Sequence, residues 1–206
     1  MTELKAVLFD LGGVLISSPF DAFAGYEHAN GLPPGFIRSL NASNSDHNAW
    51  AQLERNAVTF EEFCRLFEAE ARAAGHELDA AAVMGLLAGE VRPEMVTAVR
   101  RCRQRLRTAA LTNNFTLPDG DPAMTEMREL FDVVIESSRV GVRKPDPRFY
   151  ELACGEIGIE PTEAVFLDDL GINLKPARAL GMTTIKVDDP ERAITELEAV
   201  VGFALR

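Results

Sequence analysis

Lysine is scarce in this sequence: Lys5, Lys144, Lys175 and Lys186 are the only four in 206 residues. Acidic residues outnumber basic ones 32 to 21, for a formal net charge of -11. That balance argues against nucleic acid or an anionic membrane as a partner. It also means that an anionic substrate needs positive charge gathered locally, so an isolated lysine in an unusual setting carries weight. Cysteine is scarce too. Cys64, Cys102 and Cys154 are odd in number, widely separated and follow no metal-ligand spacing. Buried free thiols in a reducing cytoplasm are the expectation. No apolar run reaches the ~18–20 residues of a membrane span. A basic segment followed by an apolar stretch and a small-residue cleavage site is not visible at the start, so the expected location is cytoplasmic. Internal repeats and low-complexity tracts are lacking as well.

The composition that remains, 47% apolar and 26% charged, is that of a folded globular protein. The length allows one large domain, or a core with a smaller companion. After Lys5, the four residues Ala6 to Phe9 are a short apolar run that meets Asp10 and then the turn-forming pair Gly12-Gly13, which reads as a buried strand ending in an aspartate. From Asp21 to about Pro93 the pattern is helical. Thr59-Phe60-Glu61-Glu62 is a capping box, followed by Phe60, Phe63, Cys64, Phe67 and Ala71 at helical spacing. Asp79 is a further candidate cap, and Gly31 to His47, with Pro33-Pro34, reads as a loop-rich piece between earlier and later helices. After Pro93 helices and strands alternate. Helices are expected at 93–105, 147–157 (N-cap Asp146), 173–180 and after Asp189-Pro190. Strands are expected at 108–112, 132–136, 164–167 and 183–187. This grammar predicts an α/β fold with a parallel sheet and right-handed crossovers, carrying a helical insert.

Three of these strands end in polar residues: Asp10, then Thr112-Asn113, then Asp168-Asp169. One such end is unremarkable, because strands end at the surface. Adjacent aspartates at the mouth of a buried strand are different, since they repel unless a cation or donors neutralise them. With Asp10 on the same edge, three carboxylates can converge, an oxygen-rich arrangement that suits Mg²⁺. Thr112 adds a hydroxyl and Asn113 an amide. Lys144 stands just before a helix start, where an ammonium and helix N–H groups can hold phosphate.

The order Asp10, Thr112, Lys144, Asp168-Asp169 resembles the four motifs of the haloacid dehalogenase (HAD) superfamily. FDVVIESSRVGVRKPDPRFY and FLDDLGINLKPARALGM resemble the N-terminal phosphatase domain of soluble epoxide hydrolases. They also resemble the HAD domain fused ahead of some acyl-CoA dehydrogenases. The resemblance runs nearly end to end and is weakest in the insert. It implies a Rossmann-like core over 1–16 and 93–206, with a helical cap over 17–92.

For the site, the resemblance implies that Asp10 is the nucleophile and becomes an aspartyl phosphate. Thr112 and Asn113 bind the transferring group, and Lys144 neutralises Asp10 and the phosphate. Mg²⁺ is held by Asp10, the backbone carbonyl of Gly12 and Asp169, with Asp168 and Asn173 supporting from behind. The implied substrate is a small phosphate ester, for a monomer or homodimer. One departure stands out: most phosphatases of this kind carry a second aspartate two residues after the nucleophile, where this chain has Gly12. Asp46 and His47 in the insert are candidate substitutes, though solvated surface residues are the simpler reading. Lys175 and Arg178 read as helix-surface residues. Three readings follow: a Mg²⁺-dependent phosphatase, a catalytically weak module that keeps the phosphate and metal site, and a metal-independent dehalogenase.

Overall fold

The structure, a computed structural model, describes residues 3–116 and 122–206, with the side chains of 122–124 left aside. After strand β1 (Ala6–Phe9) the chain runs through α1 (Phe20–Ala29), α2 (Phe36–Ala42), α3 (Ala49–Glu54), α4 (Phe60–Ala73) and α5 (Ala80–Gly85). It then forms α6 (Pro93–Arg103), β2 (Arg107–Thr112), α7 (Pro122–Leu130), β3 (Val133–Glu136) and the single turn α8 (Ser137–Val140). It ends with α9 (Pro147–Ile157), β4 (Ala164–Asp168), α10 (Gly171–Ala179), β5 (Thr183–Lys186) and α11 (Pro190–Val201).

The five strands pair in parallel in the order β3-β2-β1-β4-β5. A sheet covered on both faces needs strands with no polar side, which is why Ala6–Phe9 and Ala164–Leu167 are apolar throughout. Successive side chains leave on opposite faces. Val7, Phe9, Val165 and Leu167 pack on α6, α7 and α11 through residues such as Met95, Met127 and Leu197. Ala6, Leu8, Ala164 and Phe166 pack on α9 and α10 through Phe149, Tyr150 and Leu174. The result is a three-layer α/β arrangement, with the parallel sheet expected from the alternating pattern and the Rossmann-like core that the resemblance implies.

Helices α1 to α5 gather around a separate apolar cluster that includes Phe23, Ile37, Leu53, Phe63, Phe67 and Val83. Phe20, Tyr26 and Trp50 pack at its margin, with Trp50 edge-on to both Phe63 and Phe67 at 5.7 Å. Phe115, just beyond β2, joins this cluster from the sheet side. Two antiparallel linkers connect the cluster to the sheet. Ser17 N–H donates to Glu90 C=O and Arg92 N–H to Leu15 C=O, both at 2.8 Å, and Ile16 bridges Val91. Gly89 lets them touch: a Cβ there would lie 2.6 Å from Ile16 Cγ2 and 2.8 Å from Ser17 O.

The caps read from the sequence are in place at Thr59, Asp79 and Asp146, and Asp189 caps the closing helix expected to start there. Thr59 and Glu62 form the full reciprocal capping box. The stretch from Gly31 to His47 is not all loop, because α2 occupies its middle. Gly35 before it, at φ 76°, supplies no side-chain cap. The carboxylate of Glu27, in α1, does so instead, accepting Gly35 N–H at 2.7 Å and Ile37 N–H at 2.9 Å. Asp132 lies outside β3, and its carboxylate takes the Thr108 N–H and hydroxyl together with Arg103 Nε. Helix α10 starts at Gly171, two residues before the expected Asn173, and α7 and α8 had no expectation.

Glu27 is 3% exposed, so removing its carboxylate leaves two donors without an acceptor. Glu27→Ala is expected to lower unfolding stability in urea by about 1–3 kcal/mol. An unchanged denaturation midpoint would show that α2 does not depend on this cap.

Candidate active site

Strand β1 sits where the chain's direction of travel across the sheet reverses, with β2 on one side and β4 on the other. In open α/β sheets the crevice at the carboxyl ends of such strands is where ligands bind. The register pairs Phe9 with Leu167, and Asp10 N–H donates to Leu167 C=O at 2.9 Å. Asp10 and Asp168 therefore emerge side by side from neighbouring strands. Thr112, at the end of β2, stands on the same edge and is buried.

The turn after β1 is built tightly around Asp10. Leu11 N–H donates to Asp10 Oδ1 at 2.7 Å, and Leu11 C=O accepts the N–H groups of Val14, Leu15 and Ile16. Gly13 has φ +74°, and a Cβ there would fall 2.2 Å from Asp169 Oδ2. Only glycine lets the backbone run that close to the carboxylate. Arg92 holds the turn from behind, donating through Nη1 to Gly13 C=O at 2.7 Å. Gly12 is under no such constraint. It is exposed, lies outside the left-handed region, and an added Cβ would meet nothing within 4 Å.

Lys144 is the centre of the arrangement. Its Nζ lies 2.7 Å from Asp10 Oδ2 and 2.8 Å from Asp168 Oδ2, and the residue is 1% exposed. Asp168 is fully buried and satisfied on every side. Leu170 N–H donates to its Oδ1 at 2.8 Å, and Asn173 Nδ2 lies 3.1 Å from both oxygens. Asn173 is steadied in turn by Tyr150, whose hydroxyl donates to its carbonyl at 2.7 Å. The Asn113 carboxamide is spent on Lys144 as well: it accepts Lys144 N–H at 2.8 Å and donates to Lys144 C=O at 3.0 Å.

One ammonium thus pairs with two carboxylates of a cluster of three, since oxygens of Asp10, Asp168 and Asp169 all lie within 4.8 Å of one another. Burial pushes Asp10 well above the usual carboxylate range; Lys144 opposes this, while Asp168 and Asp169 add to it. Burial and then the Asp168 carboxylate push Asp169 up to about 6. Burial alone would lower the pKa of Lys144, but Asp10 and Asp168 outweigh it and hold the ammonium charged. An all-oxygen cluster with surplus negative charge is the donor chemistry that suits a hard divalent cation.

Asp46 and His47 are exposed, as is Lys175, while Arg178 is engaged by the Thr184 hydroxyl on the outer surface. Sequence reasoning passed over Arg143, Glu54 and Arg92. Arg143 has a weak signal in its adjacency to Lys144. Glu54 has none, because its contact with Arg143 joins helix α3 to a loop far along the chain.

The chain is 41% identical to mouse acyl-CoA dehydrogenase family member 10 over 98% of its length, which is 19% of that protein. It is 34% identical to bifunctional epoxide hydrolase 2 of Sus scrofa over 98% of its length, 40% of that protein. It therefore spans well under half of these relatives. It is also 30% identical to phosphatase MT3486 of Mycobacterium tuberculosis, covering 90% of this chain and 88% of that one. Among solved structures, a HAD-like family hydrolase from Porphyromonas gingivalis superposes with a TM-score of 0.70 at 24% identity, covering 97% and 98% of the two chains. A HAD family enzyme of Bacteroides thetaiotaomicron, solved with magnesium and inorganic phosphate, has a TM-score of 0.59 at 19% identity, covering 89% and 93%. Both likenesses speak to the fold. The family model of haloacid dehalogenase-like hydrolases matches residues 4–181. The chain is a haloacid dehalogenase-like hydrolase.

Proposed function

We propose that this hydrolase is a magnesium-dependent phosphatase of small organic phosphate monoesters that works through an aspartyl phosphate on Asp10. The observation that carries this reading is the Lys144 ammonium shared between Asp10 and Asp168, with Asp169 beside them. The phosphatase relative of similar length supports it. Phosphoryl transfer asks the protein for positioning and charge neutralisation more than for elaborate covalent chemistry. A buried carboxylate oxygen fixed at 2.7 Å from an ammonium is a positioned nucleophile.

In the first step an Asp10 oxygen attacks phosphorus, the P–O bond to the alcohol breaks, and the alkoxide leaves with the bonding pair. In the second, water attacks the acyl phosphate, releases inorganic phosphate and restores Asp10. Lys144 fixes the Asp10 carboxylate and offsets charge on the phosphoryl oxygens, to which the Thr112 hydroxyl donates. Asn113 contributes through its grip on the Lys144 main chain. Magnesium held by Asp10, Asp169 and the Gly12 carbonyl would supply the positive charge that lets an anionic ester approach. Asp168 and Asn173 keep Lys144 in place. We assign residues 1–16 and 93–206 to the catalytic core and 17–92 to a cap over it, which the separate apolar cluster of α1 to α5 supports.

A metal-independent dehalogenase fits less well, because it leaves the surplus charge of the three-carboxylate cluster unbalanced. Gly12 bears on rate rather than on reaction type. It offers no proton to the leaving group, and general acid–base help is typically worth ~10²–10⁴-fold. Esters with acidic alcohols therefore turn over best.

Purified protein is expected to hydrolyse para-nitrophenyl phosphate with Mg²⁺ and to stop on chelation. Asp10→Asn is expected to reduce the rate to background. Turnover that survives both changes would contradict the phosphatase reading. Because the space beside Gly12 is open, Gly12→Asp is expected to fit. It should raise kcat/KM for alkyl phosphates by roughly tenfold or more, with little change for para-nitrophenyl phosphate. An equal change for both esters would show that leaving-group protonation does not limit the enzyme.

A further inference from the structure

Arg143 precedes Lys144, and its guanidinium is held by the inserted helices. Nε lies 2.6 Å from Glu54 Oε2, and Nη1 donates to Ser45 C=O at 2.8 Å. Glu54, the last residue of α3, is 8% exposed, and its other oxygen accepts the Trp50 indole N–H at 3.0 Å. The Glu54–Arg143 contact is ionic, since neither Oε2 nor Nε finds an aligned hydrogen-bond partner among the described residues. Trp50 is itself wedged against Phe63 and Phe67 in the insert core. The carboxylate is thereby fixed by packing, and Arg143 by the carboxylate.

We propose that Glu54 is a positioning residue for the reaction at Asp10, acting through Arg143 to fix the peptide that carries Lys144. Two physical reasons support it. Lys144 can be shared at 2.7 and 2.8 Å only if its backbone is held firmly, and Asn113 grips Lys144 itself while Glu54 secures its neighbour. Arg143 is also a rival cation, one residue from a cluster of three carboxylates that carries surplus negative charge. Pinned to Glu54, it leaves that cluster to Lys144. The lysine is in register, on this account, only while the inserted helices are seated. The kinetic part of this proposal rests on the phosphatase reading; the structural part does not.

The test uses the full chain with Glu54→Gln, which keeps size and the Trp50 acceptor but removes the charge, with Arg143→Ala, and with both together. Backbone hydrogen–deuterium exchange over 141–146 is expected to rise about tenfold in each single variant, while 6–9 stays protected. With Mg²⁺ and para-nitrophenyl phosphate, kcat should fall about tenfold with KM within about twofold. The double variant should be no slower than Arg143→Ala, as expected for residues acting in series. Unchanged exchange over 141–146 in Glu54→Gln, or losses in kcat that multiply in the double variant, would overturn the proposal. If the wild type shows no Mg²⁺-dependent turnover, the phosphatase reading fails and the exchange result alone decides: a rise supports the proposal and no rise overturns it. Should Glu54→Gln not fold, Glu54→Asp, which shortens the reach but keeps the charge, is read by the same exchange criterion.

Discussion

A single ammonium held between two buried carboxylates is the interaction on which the rest of this structure depends. Lys144 is almost sealed from solvent, so its charge is sustained by its pairing with Asp10 and Asp168. Losing one partner of a buried pair typically costs ~3–5 kcal/mol, because the remaining charge is stranded. The neighbourhood is organised to prevent that. Leu170 and Asn173 satisfy Asp168, Tyr150 steadies Asn173, and Asn113 takes both main-chain groups of Lys144. The result is a carboxylate, Asp10, whose position and direction are fixed before any substrate arrives.

The sheet makes this possible. Parallel strands deliver their carboxyl ends to one edge, and the register of β1 against β4 sets Asp10 beside Asp168 without any loop having to bring them together. The remaining constraint is close backbone approach, met at Gly13, where any side chain would collide with Asp169. Gly12, one residue earlier, has room for a side chain and lacks one. The two glycines look alike in sequence and do different things. Gly13 is required by geometry, whereas nothing within 4 Å of a Cβ at Gly12 requires glycine there.

Much of this was readable from the chain itself. Unbroken apolar runs gave away strands covered on both faces, and side-chain caps at Thr59, Asp79, Asp146 and Asp189 marked helix starts because those bonds are local. Asp10, Lys144 and the Asp168-Asp169 pair stood out as charges in places where a charge needs a reason. What escaped was whatever depends on contacts through space. Helix α2 is capped by Glu27 from the preceding helix, so its own sequence, following Pro33-Pro34-Gly35, looked like a loop. Asp132 resembled the first residue of a strand, yet its carboxylate serves Thr108 and Arg103. Asn113 looked free for a ligand, while its amide is committed to Lys144. The Glu54–Arg143 pair joins residues that no local pattern relates.

On the proposed reading, Asp10 is a nucleophile held ready by Lys144, with the surplus negative charge of the three-carboxylate cluster left for a cation to balance. The most direct measurement of that claim is rapid acid quench of the protein during turnover of a phosphate ester with Mg²⁺, followed by peptide mass spectrometry. The account predicts a phosphoryl group on Asp10, absent when the ester is omitted and absent in Asp10→Asn. Steady turnover with Asp10 unmodified, or with the phosphoryl group on another residue, would contradict it.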